Sequence, residues 1–372
     1  MKKIVLFSFI AIMFGCQSVD TNSGDLISID LAKLMNVGKK DYTFDFKDVS
    51  LITLEDNDNS LLGNISIAGA SEDVLVLSSN NKVYLFDARS GEHIRTIDKV
   101  GKAGNEYVMN WCTTADFDSQ SISIFDWSSK KVVKYSFEGE FINKVDNDSI
   151  IWTAANGGYN YAFNSPKLPT KYDFGIYDSD WSLVKGSKLR KYTNENSNRL
   201  FVVGMYNIDN TIYVSIDDTT SLFNEKFELQ PLFVMNKGSY KCPKDVETDL
   251  AQKDQLKNYV TSDYLMIMGD YIFYDYMYND KKYQDVWSLK DRDLLYRNIL
   301  EGSVDRVLNF KASEGQLSGF PINYKGTLIY TDKPKYVKDN RAYFEIEPTY
   351  INDLGVLDRE VENPVIMCVE FM

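Results

Sequence analysis

The sequence predicts an all-β fold assembled from one small antiparallel sheet repeated along the chain, and three observations lead to it. From about residue 44 onwards, short β-branched and aromatic runs are separated by clusters of Asn, Asp, Gly and Ser, with few helical periods. The stretch "FDARSGEHIRTI" (86–97) returns as "YSFEGEFINKV" (135–145), each with an aromatic-bearing strand, a turn on Gly-Glu and an apolar strand with basic residues; Gly91-Glu92 and Gly139-Glu140 lie 48 residues apart. The strands before those turns, "DVLVLSS" (73–79) with "KVYLFD" (82–87) and "SISIFD" (121–126) with "KVVKYSF" (131–137), are joined by the polar turns "SSNN" and "WSSK".

One such unit cannot bury both faces of its sheet, so repeats at roughly 40 to 50 residues pack side by side around an axis, as the blades of a propeller do. Weaker copies follow at 174–189, 207–234 and 270–299, and a sixth unit is expected from Ser303–Thr331 together with the terminal "PVIMCVEF" (364–371). The expectation is therefore a six-bladed β-propeller over residues 41–372. The run "FDFKDVSLITL" (44–54) lies outside the units, and it is expected to pair with 364–371 and close the ring, because unjoined edge strands are a liability. One inserted helix is expected over 243–260, where Pro243 is followed by acidic residues and by Val246, Leu250 and Leu256. A second long connection is expected over 330–348.

The first fifteen residues have the layout of an export signal: Lys2 and Lys3, then an apolar run from Ile4 to Phe14. As a helix that run covers roughly 16 Å, about half a bilayer core. Gly15-Cys16 resembles a bacterial lipobox, which makes Cys16 the expected lipidation site and the membrane the expected partner through the lipid anchor. Residues 16–40 are expected to serve as tether and linker, with the polar stretch 17–25 as a flexible stalk. Gln17 follows the cysteine where lipoprotein sorting would use aspartate for inner-membrane retention, so the expected location is the cell envelope, at the outer membrane.

Without Lys2 and Lys3 the chain carries 39 basic against 54 acidic side chains, a formal charge of about −15. Nucleic acid is thereby disfavoured as a partner, since it recruits basic patches to release counterions. His93 is the single histidine, which removes most zinc sites and most Ser-His or Cys-His catalysis. Cys112, Cys242 and Cys368 have no paired spacing and are expected to be reduced rather than bridged. No cofactor or metal is expected: Gly101 and Gly104 lack a phosphate-loop pattern, and "DNDNS" (56–60) lacks the glycine and the terminal glutamate of a calcium loop. Asp116 and Asp118 are expected to cap a turn.

The runs "VSLITLEDNDNSLLGNI" (49–65), "VYLFDARSGEHIRTIDKVGKAGNEY" (83–107), "ISIFDWSSKKVVKYSFEGEFINKV" (122–145) and "ENPVIMCVEF" (362–371) resemble the six-bladed β-propeller lipoproteins of Gram-negative gut bacteria, relatives of NHL-repeat propellers. Of that family's Gly-x-Gly-Pro-Gly-Glu-Tyr loop, Gly101, Gly104, Glu106 and Tyr107 are present, while Ala103 and Asn105 depart from it. The resemblance implies architecture and location more than chemistry.

In a propeller, the connections from one blade to the next open around the channel mouth. Here they carry Asn105, Glu106, Tyr107, Trp111, Trp152, Arg190, Arg199 and Arg306, the mixture a polar ligand site uses. Of these, Asn105, Glu106, Tyr107, Trp111, Trp152 and Arg199 are the expected ligand-binding residues. The 51 aromatic residues, 25 of them tyrosine, suit packing between blades, as in "IFYDYMY" (272–278), or stacking against sugar rings and peptide side chains. The expected function is non-enzymatic binding of a glycan, a peptide or an outer-membrane protein partner on the loop face. The alternatives are a carboxylate- or metal-dependent hydrolase or lactonase on that face, and an assembly subunit.

Overall fold

The computed structural model describes residues 26–371 except for 45, 148–149, 165–171, 189–203, 209–210, 217, 244, 247–249, 306–308 and 339. Six antiparallel sheets of four or five strands follow one another along the chain. The first comprises Ser66–Ala70, Val74–Ser79, Lys82–Asp87 and His93–Ile97, and the second Asn110–Asp116, Ser121–Asp126, Lys131–Ser136 and Phe141–Asp146. The third holds Ile150–Asn156, Tyr159–Asn164, Phe174–Tyr177 and Leu183–Ser187, and the fourth Gly204–Ile208, Thr211–Ile216, Thr219–Phe223 and Leu229–Met235. The fifth runs through Thr261–Met268, Tyr271–Tyr278, Lys281–Ser288, Leu294–Asp305 and Asn309–Ala312. The sixth is built from Tyr336–Lys338, Arg341–Ile346 and Val365–Glu370, with Asp48–Thr53 on its outer edge.

Each sheet is a meander, so its first strand is its innermost and its later strands run outward. Side chains alternate across each strand and are buried against both neighbouring sheets: Tyr274 and Tyr276 on one face of Tyr271–Tyr278, Phe273 and Asp275 on the other, are all at most 4% exposed. The aromatic content is largely spent here. Phe273 meets Phe320 edge-to-face at 4.8 Å and Phe344 at 6.3 Å, and Tyr276 stacks on Tyr283 at 4.9 Å.

The echo seen in the sequence is one turn repeated between the third and fourth strands. A side-chain oxygen at its start accepts backbone N–H groups two to four residues on. Asp87 accepts from Arg89 and Ser90, Ser136 from Glu138 and Glu140, Asp178 from Asp180 and Ser182, and Asn224 from Lys226 and Glu228. The chain then passes through a left-handed residue. In the first two sheets this is Gly91 (φ 76°) and Gly139 (φ 79°), but in the third, fourth and fifth it is Trp181, Phe227 and Arg292.

The expected pairing of the two ends is present: Asp48–Thr53 runs antiparallel to Val365–Glu370, from Asp48↔Glu370 to Thr53↔Val365. Asn363, fully buried, fixes the approach by accepting from the Leu62 N–H and donating to the Glu55 and Ser60 carbonyls.

Residues 303–331 do not belong to the sixth sheet: 303–305 and 309–312 extend the fifth, and Phe320–Tyr324 pairs with Thr327–Thr331 as a separate hairpin. The sixth sheet instead draws its first two strands from 330–348, read in the sequence as a connection, because "RAYFEI" alternates and Asn340 makes the left-handed turn before it (φ 58°).

Of the helix expected over 243–260, the described residues show α-helix at 245–246 and a 3₁₀ run at Leu250–Asn258, with Val246 and Leu256 buried; an α-helix that was not expected lies at Pro348–Leu354, with Pro348 in its first turn, left-handed Gly355 at its end and Ile351 fully buried.

The described part of the expected linker, residues 26–40, is folded. Ile27–Ile29 adds a parallel strand to the outer edge of the fourth sheet, and Leu31–Leu34 forms a 3₁₀ turn with Ile29 and Leu31 fully buried. Lys40 then exchanges backbone hydrogen bonds with Arg297 of the fifth sheet, and Phe44 packs on Tyr271, Phe273 and Tyr296. The N-terminal segment thus runs from the fourth sheet over the fifth to the sixth.

Candidate functional site

The first strands of all six sheets line one central cavity of about 490 Å³. A first strand faces its counterparts on both sides, so small side chains there leave space that large ones elsewhere fill: Ala68, Ala115, Ala154 and Ala155 all lie on the wall. Polar groups are hydroxyls and an amide, from Ser66, Thr113, Thr153 and Asn207.

Among the described residues, three aromatics line the cavity: Trp111, Tyr264 and Tyr336. Trp111, half exposed, lies against Trp127 with ring centroids 5.5 Å apart, and the Lys130 ammonium covers Trp127 at 3.3 Å from its centroid. Both tryptophans are positioned by Asp126, which is fully buried. Its carboxylate accepts the backbone N–H groups of Val108, Met109, Ser128 and Ser129 and the Ser129 hydroxyl, so the segment leading into Trp111 and the turn carrying Trp127 share one anchor. Burial works to raise the Asp126 pKa, but these bonds outweigh it and hold the carboxyl below its usual range.

Asn207 donates through Nδ2 to the Ala155 carbonyl at 2.7 Å, while its Oδ1 is buried and has no hydrogen-bond partner. Among the described residues on the wall, the one charged group is Lys335, 3.5 Å from the Glu345 carboxylate. Among the described residues that line the cavity there is no carboxylate or imidazole.

Behind Tyr264 lies a cluster of charges. Asp275 Oδ2 is 3.3 Å from the Lys282 ammonium and 3.4 Å from that of Lys333, which in turn sits 4.1 Å from the Tyr264 ring centroid. Burial pushes the Asp275 carboxyl up against the two lysines, whereas at half-buried Asp332 desolvation works upward but Lys333, Lys282 and Lys335 outweigh it and hold the pKa down.

Of the residues expected to bind ligand, the structure brings Trp111 to the cavity. The other loop residues brace their own segment. Tyr107 is fully buried with its hydroxyl donating to the Ile97 carbonyl; the Asn105 carbonyl accepts from the Tyr135 hydroxyl; Glu106 Oε2 accepts from the Ala103 N–H. A Cβ at Gly101 would sit 2.0 Å from Glu106 Oε2, so a larger residue there would displace that carboxylate from the Ala103 N–H. Trp152 pairs through its backbone with Phe163, but its side chain lies outside the described residues, as do Arg190, Arg199 and Arg306. Tyr264, Tyr336 and Asn207 escaped the sequence reading because the repeat was recognised from its outer strands. The first strands of the later sheets carry no turn signature of their own.

Asp116 caps its turn by accepting from the Asp118 and Ser119 N–H groups, as expected. His93 shares a hydrogen bond with the Thr96 hydroxyl at 2.8 Å, and among the described cysteines Cys112, Cys242 and Cys368 are free thiols.

Fold and site together define an all-β protein of serial antiparallel sheets around a lined central cavity. The chain belongs to the family described as "Domain of unknown function (DUF4934)", whose model matches residues 26–370. In structure it is similar to an exported protein of Bacteroides fragilis, with 14% identity over 94% of this chain and 100% of that one and a TM-score of 0.64. It is also similar to a member of the DUF4221 family from Bacteroides vulgatus, with 9% identity over 90% of this chain and 98% of the other and a TM-score of 0.53. At such identities the likeness is one of fold. No curated protein matches the sequence.

Proposed function

We propose that the chain is an exported lipoprotein whose body is a six-bladed β-propeller of the NHL-like kind, sealed by Asp48–Thr53, and that it binds a small ligand in the central cavity without transforming it. The observation that carries this reading is the cavity itself: about 490 Å³, within the roughly 300–1,000 Å³ of small-molecule pockets, with walls from all six sheets and three aromatic rings. General acid–base or metal-assisted hydrolysis most often uses carboxylates or imidazoles beside the reacting bond, whereas the described wall residues offer hydroxyls, an amide, a thiol, aromatic rings and the ion-paired Lys335. Anchoring follows from Cys16 and the apolar run before it, and the location proposed is the outer membrane.

The test is a thermal-shift screen of the full chain in detergent against neutral saccharides, short peptides and aliphatic alcohols. Binding to the folded state raises the melting temperature by mass action. A ligand that does so for the wild type and fails for Trp111→Ala supports the cavity. Stabilising ligands that act equally on both proteins, or none at all, overturn it.

A further inference from the structure

We infer that the cavity is built for an uncharged carbohydrate, an inference that rests on the cavity-binding reading and assigns its ligand class. Three independent features lead there.

The rings come first. Trp111 is backed on one side by Trp127, itself held by the Lys130 ammonium, so it is a braced surface with half its area exposed. Tyr264 is braced in the same way, by Lys333 at 4.1 Å from its centroid. A braced aromatic surface suits the C–H face of a pyranose ring, which is flat, apolar and rimmed with hydroxyls. It loses little side-chain entropy when the sugar arrives, because the rotamer is already held.

The hydrogen-bonding wall comes second. The wall carries the hydroxyls of Ser66, Thr113 and Thr153, each able to donate or accept, which suits a ligand rimmed with hydroxyls better than a hydrocarbon.

Charge comes third. Among the described residues on the wall, Lys335 is the single ionisable group apart from tyrosine and cysteine, and Glu345 stands 3.5 Å from it. An acidic sugar or a phosphate would find no unshared cation among these residues, and a cationic ligand no carboxylate.

The experiment is calorimetric titration of the full chain in detergent with neutral mono- to tetrasaccharides of gluco, galacto, manno and N-acetyl configuration. Tetra-alanine amide and 1-hexanol are the competing probes. The expected result is one-to-one binding of at least one saccharide. Affinity should fall at least tenfold in Trp111→Ala and measurably in Thr153→Val, which removes a wall hydroxyl and keeps the side-chain shape. Melting temperatures of the free variants show whether each is folded, and a Trp111→Phe variant, which keeps a ring, should recover part of the affinity. If the peptide or the alcohol binds in a Trp111-dependent manner and no saccharide does, the carbohydrate assignment falls and the cavity reading stands. If nothing in the series binds, or if binding is indifferent to both substitutions, both fall.

Discussion

Asp126 Oδ2 accepts the Val108 N–H at 2.7 Å, joining the end of a second strand to the segment that enters the first strand of the same sheet. The bond holds Trp111, three residues further on, at the cavity wall. The same carboxylate also organises the Trp127 turn, so one buried group positions both rings of the tilted pair.

Asp126→Asn should therefore destabilise the fold by about 1–3 kcal/mol, the cost of leaving buried donors unpaired. The pH dependence has a definite sign. Because the folded-state pKa is depressed, the carboxylate contributes stability fully above its unfolded value near 3.9 and loses it as pH falls through the folded value. Urea unfolding at pH 7 and pH 3 should show the gap between wild type and variant narrowing at the lower pH; a gap that widens refutes this role.

Gly91 and Gly139 occupy equivalent turns yet should respond differently to alanine. Both have positive φ, which costs a residue with a Cβ about 1–2 kcal/mol. At Gly139 the new Cβ meets only Ile97, at 3.6 Å, but at Gly91 it would lie 2.1 Å from the Thr53 carbonyl oxygen. Gly91→Ala should therefore cost roughly 2–5 kcal/mol and Gly139→Ala about 1–2 kcal/mol. Equal losses in chemical denaturation would show that the turn on Gly91 does not press against the closing strand.

Arg297 is fully buried in a fork with Asp285, its Nε donating to Oδ1 at 2.8 Å and Nη2 to Oδ2 at 2.6 Å. Its Nη1 reaches out to the carbonyls of Leu34 and Val37 and pins the N-terminal segment. Arg297→Ala leaves Asp285 buried without its cation and should cost about 3–5 kcal/mol. Trypsin under native conditions should then cut first at Lys33, Lys39 or Lys40; cleavage elsewhere first would show that the segment is held by other contacts.

Val365–Glu370 lies between Arg341–Ile346 and Asp48–Thr53, with Val365, Ile366 and Met367 fully buried. A chain ending at Asn363 should lose cooperative unfolding, since two strands then face solvent unpaired. The milder Met367→Ala should keep cooperativity and lose about 2–5 kcal/mol. A truncated chain that melts sharply would show that the sixth sheet closes without its central strand.

The repeat was visible where glycine marks it. Only glycine adopts a left-handed turn freely, and Gly91 and Gly139 announce the first two sheets. In the next three, Trp181, Phe227 and Arg292 hold the same conformation, supported by the hydrogen bonds of Asp178, Asn224 and Ser288. Tertiary packing sustains there what the local sequence does not advertise, which is why the later units looked degenerate. The wall residues were hidden for a related reason, because Tyr264, Tyr336 and Asn207 sit in first strands whose neighbours across the cavity are distant in sequence.

By itself, the amino-acid order determined the all-β class, the length of the repeating unit and the pairing of residues 48–53 with the C-terminal strand. These follow from alternation and turn chemistry, which act over a few residues, and from the need to pair exposed edges. Only the tertiary structure decided that Asn105, Glu106 and Tyr107 brace their own loop, that residues 26–40 wrap the outer edge, and that Trp111, Tyr264 and Asn207 share one wall. Those outcomes depend on which sheets become neighbours, a matter of long-range packing that no local pattern encodes.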